Sequence, residues 1–233
     1  MSDSQLLSPS ARPAGHGITL GTPRIYDLTA GLLFFGTRRR SYRELLLAAA
    51  VGLGDRVLDI GCGPGYFARM LAETVGPHGS VVGIDAAPEM VDYARRKARR
   101  LPNCRFQTGA AQTLPFPDGA FDVVTSSLML HHVPEEDRLT SVGEMKRVLR
   151  PGGRLLLAEF SLPQDGVWRI VAAITGHAGK GALFNQRKMV ERVSPVEPIV
   201  AEAGFSALRS GDAPPWLHYV MATRPSGGGG SHD

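Results

Sequence analysis

The stretch Arg56-Val57-Leu58-Asp59-Ile60-Gly61-Cys62-Gly63-Pro64-Gly65-Tyr66-Phe67 constrains this chain more than any other, because an apolar run broken by one acid closes on three alternating glycines. Val57, Leu58 and Ile60 suit a strand buried on both faces, as in a parallel sheet, and Ala68 to Glu73 reads as the helix that follows. A tight glycine turn therefore joins strand to helix. Glycine belongs where the backbone takes a positive φ or passes close to a ligand, and three at this spacing leave the helix N-terminus without bulk above it. A dinucleotide fingerprint would read G-x-G-x-x-G. Here the spacing is G-x-G-x-G, with Asp59 two residues before the first glycine.

The pattern VLDIGCGPG resembles the first motif of the class I S-adenosylmethionine-dependent methyltransferases. Ser80 to Asp85 supplies the second expected element, a strand ending in an acid about twenty residues past the last glycine. A carboxylate there can accept both ribose hydroxyls of the cofactor. The resemblance implies an α/β fold with a Rossmann-like, seven-stranded, mostly parallel sheet whose last strand is antiparallel. It further implies helices on both faces, an N-terminal helical cover and a lid insertion after strand 5. It makes S-adenosylmethionine the expected cofactor, held by Asp59, Gly61, Gly63, Gly65 and Asp85.

A chain of 233 residues is long enough to bury a substantial core as one domain with additions. The net charge of +4 is mildly basic and does not argue for a nucleic-acid partner. The two cysteines, Cys62 and Cys104, form no C-x-x-C pair, so a reducing compartment is expected and no metal site. The longest apolar runs fall short of the roughly twenty residues that span a bilayer. With no signal-peptide core in the first twenty residues, the expected location is cytoplasmic, with peripheral membrane contact the most that the sequence allows. Residues 1–20 read as disordered, 21–225 as the domain with a lid at about 161–193, and 226–233 as a flexible Gly-Ser tail.

In chain order, Pro23 opens a helix that Gly36 ends, and a second runs from about Arg40 to Val51 with Tyr42, Leu45, Leu46 and Ala49 on one face. Tyr26 either packs beside the cationic sulfur or packs its helix on the sheet. Arg38-Arg39-Arg40 reads as a solvated helix start or as a site for an acidic headgroup. After Asp85, Pro88 starts a helix; by resemblance Ala86 and Met90 border the adenine ring. The cations Arg95 to Arg100 at its far end complement the helix dipole. Cys104 to Gly109 is the third strand. Ala110 stands where the family pattern has an aspartate beside the adenine amino group, leaving the backbone amides of Ala110 and Ala111 for that contact.

The fourth strand, Asp122 to Ser127, leads into Leu128-Met129-Leu130-His131-His132, at the sheet end where open α/β folds bind ligands. A histidine there can take a proton from a phenol, hydroxyl or ammonium as methylation proceeds. His131 is the preferred base, His132 the packing or hydrogen-bonding partner, and Ser127 a cofactor contact at the strand end.

The chain resembles the branch that includes the ubiquinone and menaquinone biosynthesis C-methyltransferases, which carry an Arg-Asn pair where His131-His132 stands here. A helix from Glu135 to Leu149 should turn Leu139, Val142, Met145 and Val148 or Leu149 inward, and Leu-Arg-Pro-Gly-Gly at 149–153 matches the family's turn into strand 5. Ser194, Pro195 and Glu197 mark a helix start. Two antiparallel strands, Phe205 to Arg209 and Trp216 to Thr223, should close the sheet through Asp212 to Pro215.

The expected function is methyl transfer to an O, N or C nucleophile of a small, partly apolar metabolite. Its alternatives are a phospholipid-amine N-methyltransferase and a non-catalytic cofactor-binding homologue. A nicotinamide dehydrogenase has the wrong glycine spacing. The oligomeric state is not legible.

Overall fold

The computed structural model describes Pro23, Asp27 and residues 36–161, 196–215 and 217–226. Seven strands form one sheet in the order β3-β2-β1-β4-β5-β7-β6. They are β1 (Arg56–Ile60), β2 (Ser80–Asp85), β3 (Cys104–Thr108), β4 (Phe121–Ser127), β5 (Leu149–Phe160), β6 (Ser206–Ala213) and β7 (Leu217–Thr223). β1 pairs in parallel with β2 and β4, β2 with β3, and β4 with β5. Only β7 is reversed, running antiparallel to both neighbours.

The order reverses between β1 and β4. Adjacent crossovers there leave on opposite sides of the sheet, which opens a crevice at the carboxyl ends of those strands.

Helices cover both faces. On one lie α1 (Arg38–Ala48), α2 (Tyr66–Val75) and α3 (Pro88–Lys97), burying Tyr42, Leu45, Phe67, Leu71, Val91 and Ala94 against Val57, Val81, Val123 and Leu156. On the other lie α4 (Glu135–Val148) and α5 (Glu197–Glu202), where Val142, Met145, Val148 and Val200 meet Leu58, Val124, Leu155 and Val220. Alternate strand residues thus serve two cores, as the continuous apolar run in β1 requires. Among the described residues no helix is long and apolar enough to cross a membrane.

Three sequence expectations shift. Leu139 is 39% exposed, and the buried place one residue earlier goes to Arg138, whose Nε donates to the Val133 carbonyl. The inward face of α4 is therefore Arg138, Ser141, Val142, Met145 and Val148, a stripe at helical spacing that trades one leucine for an arginine with its head satisfied. The last strands meet closer to the turn than expected: Asp212 and Ala213 are strand residues, paired with His218 and Leu217. Helix α1 begins earlier, so that Arg38, Arg39 and Arg40 are its first turn. The lid at about 161–193, Ser194, Pro195 and the tail from Gly227 lie outside the described residues.

Candidate active site

The glycine loop is held by backbone bonds to the end of β2. Gly61 and Cys62 donate to the Ile84 carbonyl at 2.8 and 3.1 Å, and Gly65 donates to Cys62 at 2.9 Å. Gly61 (φ +68°) and Gly65 (φ +72°) lie in the left-handed region. A Cβ on Gly61 would stand 2.2 Å from Met129 Cγ, and one on Gly65 would stand 2.8 Å from Ala94 Cβ and the Phe106 ring. Side chains are excluded at both ends of the loop by conformation and by space. Gly63 is left-handed as well.

Asp85 closes the loop from β2. Its Oδ2 accepts from the Gly63 amide at 2.8 Å and its Oδ1 from the Ala87 amide at 2.9 Å, so the carboxylate bridges the loop and the start of α3. Burial raises its pKa, against the pull of those two amides. Each oxygen keeps a further lone pair for a ligand hydroxyl.

Asp59, on β1 beneath the loop, is 1% exposed. Its Oδ1 accepts from the Thr125 hydroxyl at 2.8 Å, while Oδ2 has no hydrogen-bond partner. Burial pushes its pKa up to about 7; the Thr125 hydroxyl opposes that and the Asp85 charge adds to it. An orphaned buried carboxylate oxygen beside a second, half-buried carboxylate is what a cationic ligand would relieve.

The remaining residues named from the sequence lie after β3 and at the start of α3. Gly109, after β3, donates to the Asp85 carbonyl at 3.0 Å, bringing Ala110 and Ala111 beside Asp85. Met90 is buried on the first turn of α3, with exposed Ala86 just before it. Tyr26 lies outside the described residues.

The end of β4 carries the other half of the site. Leu128 has φ +57°, unusual for a branched residue, and its amide bonds the Ala158 carbonyl at 2.8 Å. Such strain persists only where surrounding contacts hold it, and it clusters at functional sites. The turn sets Met129 over Gly61 and starts one 3-10 turn, Leu130–His132.

There His131 Nδ1 lies 2.7 Å from Glu159 Oε2. Glu159 Oε1 accepts from the Met129 and Leu130 amides at 3.1 and 2.7 Å. Both side chains are nearly buried, at 6% and 5% exposed. His132 packs on His131 with ring centroids 4.1 Å apart. Burial, reinforced by the neighbouring His131, lowers its pKa to about 4, and its Nδ1 has no partner. Phe160 stands 5.9 Å from the His131 ring.

Sequence reading singled out His131 but not Glu159. The available signal was an acid near the end of an otherwise apolar strand, Leu155-Leu156-Leu157-Ala158-Glu159-Phe160. It also read Tyr42 as packing alone. Tyr42 is buried on α1, its hydroxyl bonds the Ser127 side chain, and burial raises its pKa. Arg38 is committed elsewhere: Nη1 pairs with Asp27 at 2.7 Å, and the guanidinium stacks 3.9 Å above the Tyr66 ring. The cation on which a headgroup site would draw first thus ties the N-terminal helical segment to the residue after the glycine loop.

Residues 57–153 match the family described as Methyltransferase domain. The chain is 42% identical over 147 residues to a demethylmenaquinone methyltransferase of Thermus thermophilus, covering 63% of this chain and 66% of that one. It is 40% identical over 141 residues to the ubiquinone/menaquinone biosynthesis C-methyltransferase UbiE of Pasteurella multocida, covering 59% and 52%. The chain thus spans between about half and two thirds of the length of these relatives. In fold it is similar to a SAM-dependent methyltransferase from Aquifex aeolicus, with a TM-score of 0.68 at 24% identity over 88% of this chain and 99% of that one.

The glycine loop and the sheet order with its reversed β7 give this chain the fold of the Aquifex aeolicus SAM-dependent methyltransferase, and residues 57–153 of it carry a methyltransferase domain. Over the matched stretch it resembles the ubiquinone and menaquinone biosynthesis C-methyltransferases.

Proposed function

We propose that this chain moves a methyl group from S-adenosylmethionine to an O, N or C nucleophile of a small, partly apolar acceptor, with His131 as the general base. The observation that supports it most is the buried His131–Glu159 pair, 2.7 Å apart at the carboxyl ends of β4 and β5.

When bound, the cofactor supplies a methyl group already activated by a cationic sulfur. The protein's part is to seat it, align the acceptor and take up a proton. In this reading the Gly61-Gly63-Gly65 loop gives close backbone approach, Asp85 accepts the ribose hydroxyls, and Asp59 faces the cationic end. Ala86, Met90, Ala110 and Ala111 would border the adenine, with Ser127 at the strand end. Glu159 accepts the Nδ1 proton of His131, which leaves Nε2 with its lone pair toward the acceptor. As Nε2 takes the acceptor's proton, Glu159 stabilises the imidazolium. His132, held neutral by burial, adds no competing charge.

Leu128, Met129 and Phe160 furnish the apolar wall, all partly exposed at the strand ends. Their character fits acceptors such as phenols, reduced quinone rings and enolisable carbonyls, which carry an acidic proton on an apolar frame.

The test is a screen of such acceptors for S-adenosylhomocysteine formation, repeated with His131→Ala. Turnover by the wild type, reduced about 10²- to 10⁴-fold in the variant with cofactor affinity kept, is the expected result. Cofactor binding without turnover on any acceptor class would favour a non-catalytic homologue, and turnover unchanged by His131→Ala would remove the base.

A further inference from the structure

The His131–Glu159 pair does not end at Glu159. In the antiparallel register of β5 and β7, Glu159 is directly opposite His218, and β6 places Asp212 opposite His218 on its other side. Directly paired residues of neighbouring strands project from the same face, with Cβ atoms about 5 Å apart. That face is the one covered by α4 and α5, since the preceding pairs in the same row pattern, Leu157 with Val220 and Leu155 with Ala222, belong to that core. Helix α5 contributes Glu197 at its first residue.

His218 is held at both ring nitrogens, Nδ1 by Asp212 Oδ1 and Nε2 by Glu197 Oε1, each at 2.8 Å. An imidazole with a carboxylate on each nitrogen donates twice only as the imidazolium. Acid and base thus alternate across three strands, from His131 through Glu159 and His218 to Asp212.

We propose that His218 is a positioning residue that acts through Glu159 to set the proton affinity of His131. A buried carboxylate beside a histidine ordinarily favours the charged ring, and a base that already carries its proton cannot accept the acceptor's. The His218 imidazolium stands opposite Glu159 in the strand register and so adds a second positive charge on the same face of the sheet. That charge weakens the hold of Glu159 on a proton at His131.

The other groups facing the row leave it this role. His132 stacks on His131 and is neutral. On α4, Arg138 is engaged at the Val133 carbonyl and Asp137 accepts from Gln112. Glu197 and Asp212 outweigh His218 by one negative charge. Loss of the His218 proton therefore makes the row more negative and drives the His131 affinity upward.

This inference gives a use to the base assigned above, but its test reads proton affinity and needs no acceptor or turnover. Histidine ring resonances, labelled with nitrogen-15 and assigned by His131→Gln and His218→Gln, are followed against pH in the wild type and variants. In H218Q the His131 midpoint should rise by up to about one and a half units, as a charge roughly 8 Å away predicts at an effective dielectric near 20. H218K, which restores a fixed cation, should bring it back toward the wild-type value. D212N changes a side chain that is 80% exposed and so carries little folding risk. It removes a negative charge while His218 keeps its bond to Glu197, and should move the His131 midpoint down by a few tenths. A His131 midpoint that stays put in both H218Q and D212N, or that falls in H218Q, would overturn the proposal. A protein that binds cofactor, shows this coupling and turns over nothing would sink only the catalytic reading.

Discussion

The two ends of the sheet treat their carboxylates in opposite ways. At the amino ends of the strands, each acid has an arginine. Asp122 lies between Arg56 and Arg150 at 3.1 and 2.6 Å, Asp55 pairs with Arg154 at 2.6 Å, and Arg147 holds both Glu144 and Asp118. Partial burial pushes Asp122 up, but the two guanidinium groups override it and hold it at about 2. At the carboxyl ends, Asp59 sits at about 7 and Asp85 is raised, with backbone amides and a threonine hydroxyl for company and no arginine or lysine bonded to either among the described residues. One residue type in one sheet is thus stabilised as an anion below and left short of positive charge above. In the proposed reading a bound ligand supplies that positive charge, and S-adenosylmethionine carries it on sulfur and on its amino group.

The largest effect that would break this comparison is in the pH dependence of stability. Asp59 has a folded pKa of about 7 against an ordinary 3.8, so the folded state holds its proton more tightly than the unfolded chain. Its contribution is fully present below the unfolded value and is lost as pH rises through about 7, by up to about 4 kcal/mol. Denaturant unfolding between pH 5 and pH 8 should show wild-type stability falling relative to Asp59→Asn, which keeps the shape without the titration. Parallel curves for the two would mean that Asp59 is ionised and solvated, and the contrast would fail. Cofactor titration near pH 7 should also release a proton from the wild type, visible as a dependence of calorimetric heat on buffer ionisation, and none from D59N.

Next in size is the cofactor itself. Asp85→Ala removes the carboxylate proposed to accept the ribose hydroxyls and unties Gly63 and Ala87 at once. The affinity for S-adenosylmethionine and S-adenosylhomocysteine should fall by about 100-fold or more, about 2.7 kcal/mol, in a calorimetric titration. Equal binding by the variant, with its thermal transition intact, would move the cofactor away from the β2 end. Gly61→Ala should cost about 1–3 kcal/mol of stability, because its methyl group enters Met129 in a left-handed backbone position. A thermal shift within a degree would show that Met129 yields freely and that the loop is looser than its contacts imply.

Much of the architecture was legible in the chain because local signals agreed. The run Val57 to Ile60 followed by Gly61, Gly63 and Gly65 gave strand, turn and helix, and Pro88 marked the start of α3 to the residue. Asp59 and Asp85 were readable because an acid next to a glycine turn has few other reasons to be there. Glu159 was not, since its meaning comes from a histidine 28 residues earlier that only strand pairing brings to it. The same holds for His218, whose partners Asp212 and Glu197 meet through the β6–β7 register and the docking of α5. Leu139 was misplaced because helical periodicity alone cannot tell that Arg138 has a carbonyl to satisfy it in the core. Motifs that work through their own backbone are written locally; side chains that work through tertiary partners are not.

The smallest expected effect tests the lower end of the sheet. Arg150 is 47% exposed on its side chain, and Asp122 keeps Arg56 when Arg150 is cut back, so Arg150→Ala should cost only about 0.5–1 kcal/mol at neutral pH. Asp122 is depressed in the folded state, so its contribution is present above the ordinary carboxylate range and is lost as pH falls through about 2. The penalty of R150A should therefore shrink between about pH 4 and pH 2 in urea titrations, and shrink also in 1 M salt. Exposed pairs of this kind trade one solvated charge for another, and their removal leaves nothing buried and unpaired. A loss above about 2 kcal/mol would instead make the lower arginines as necessary as a buried network. The difference between the ends of the sheet would then lie in packing and not in where the chain withholds its cations.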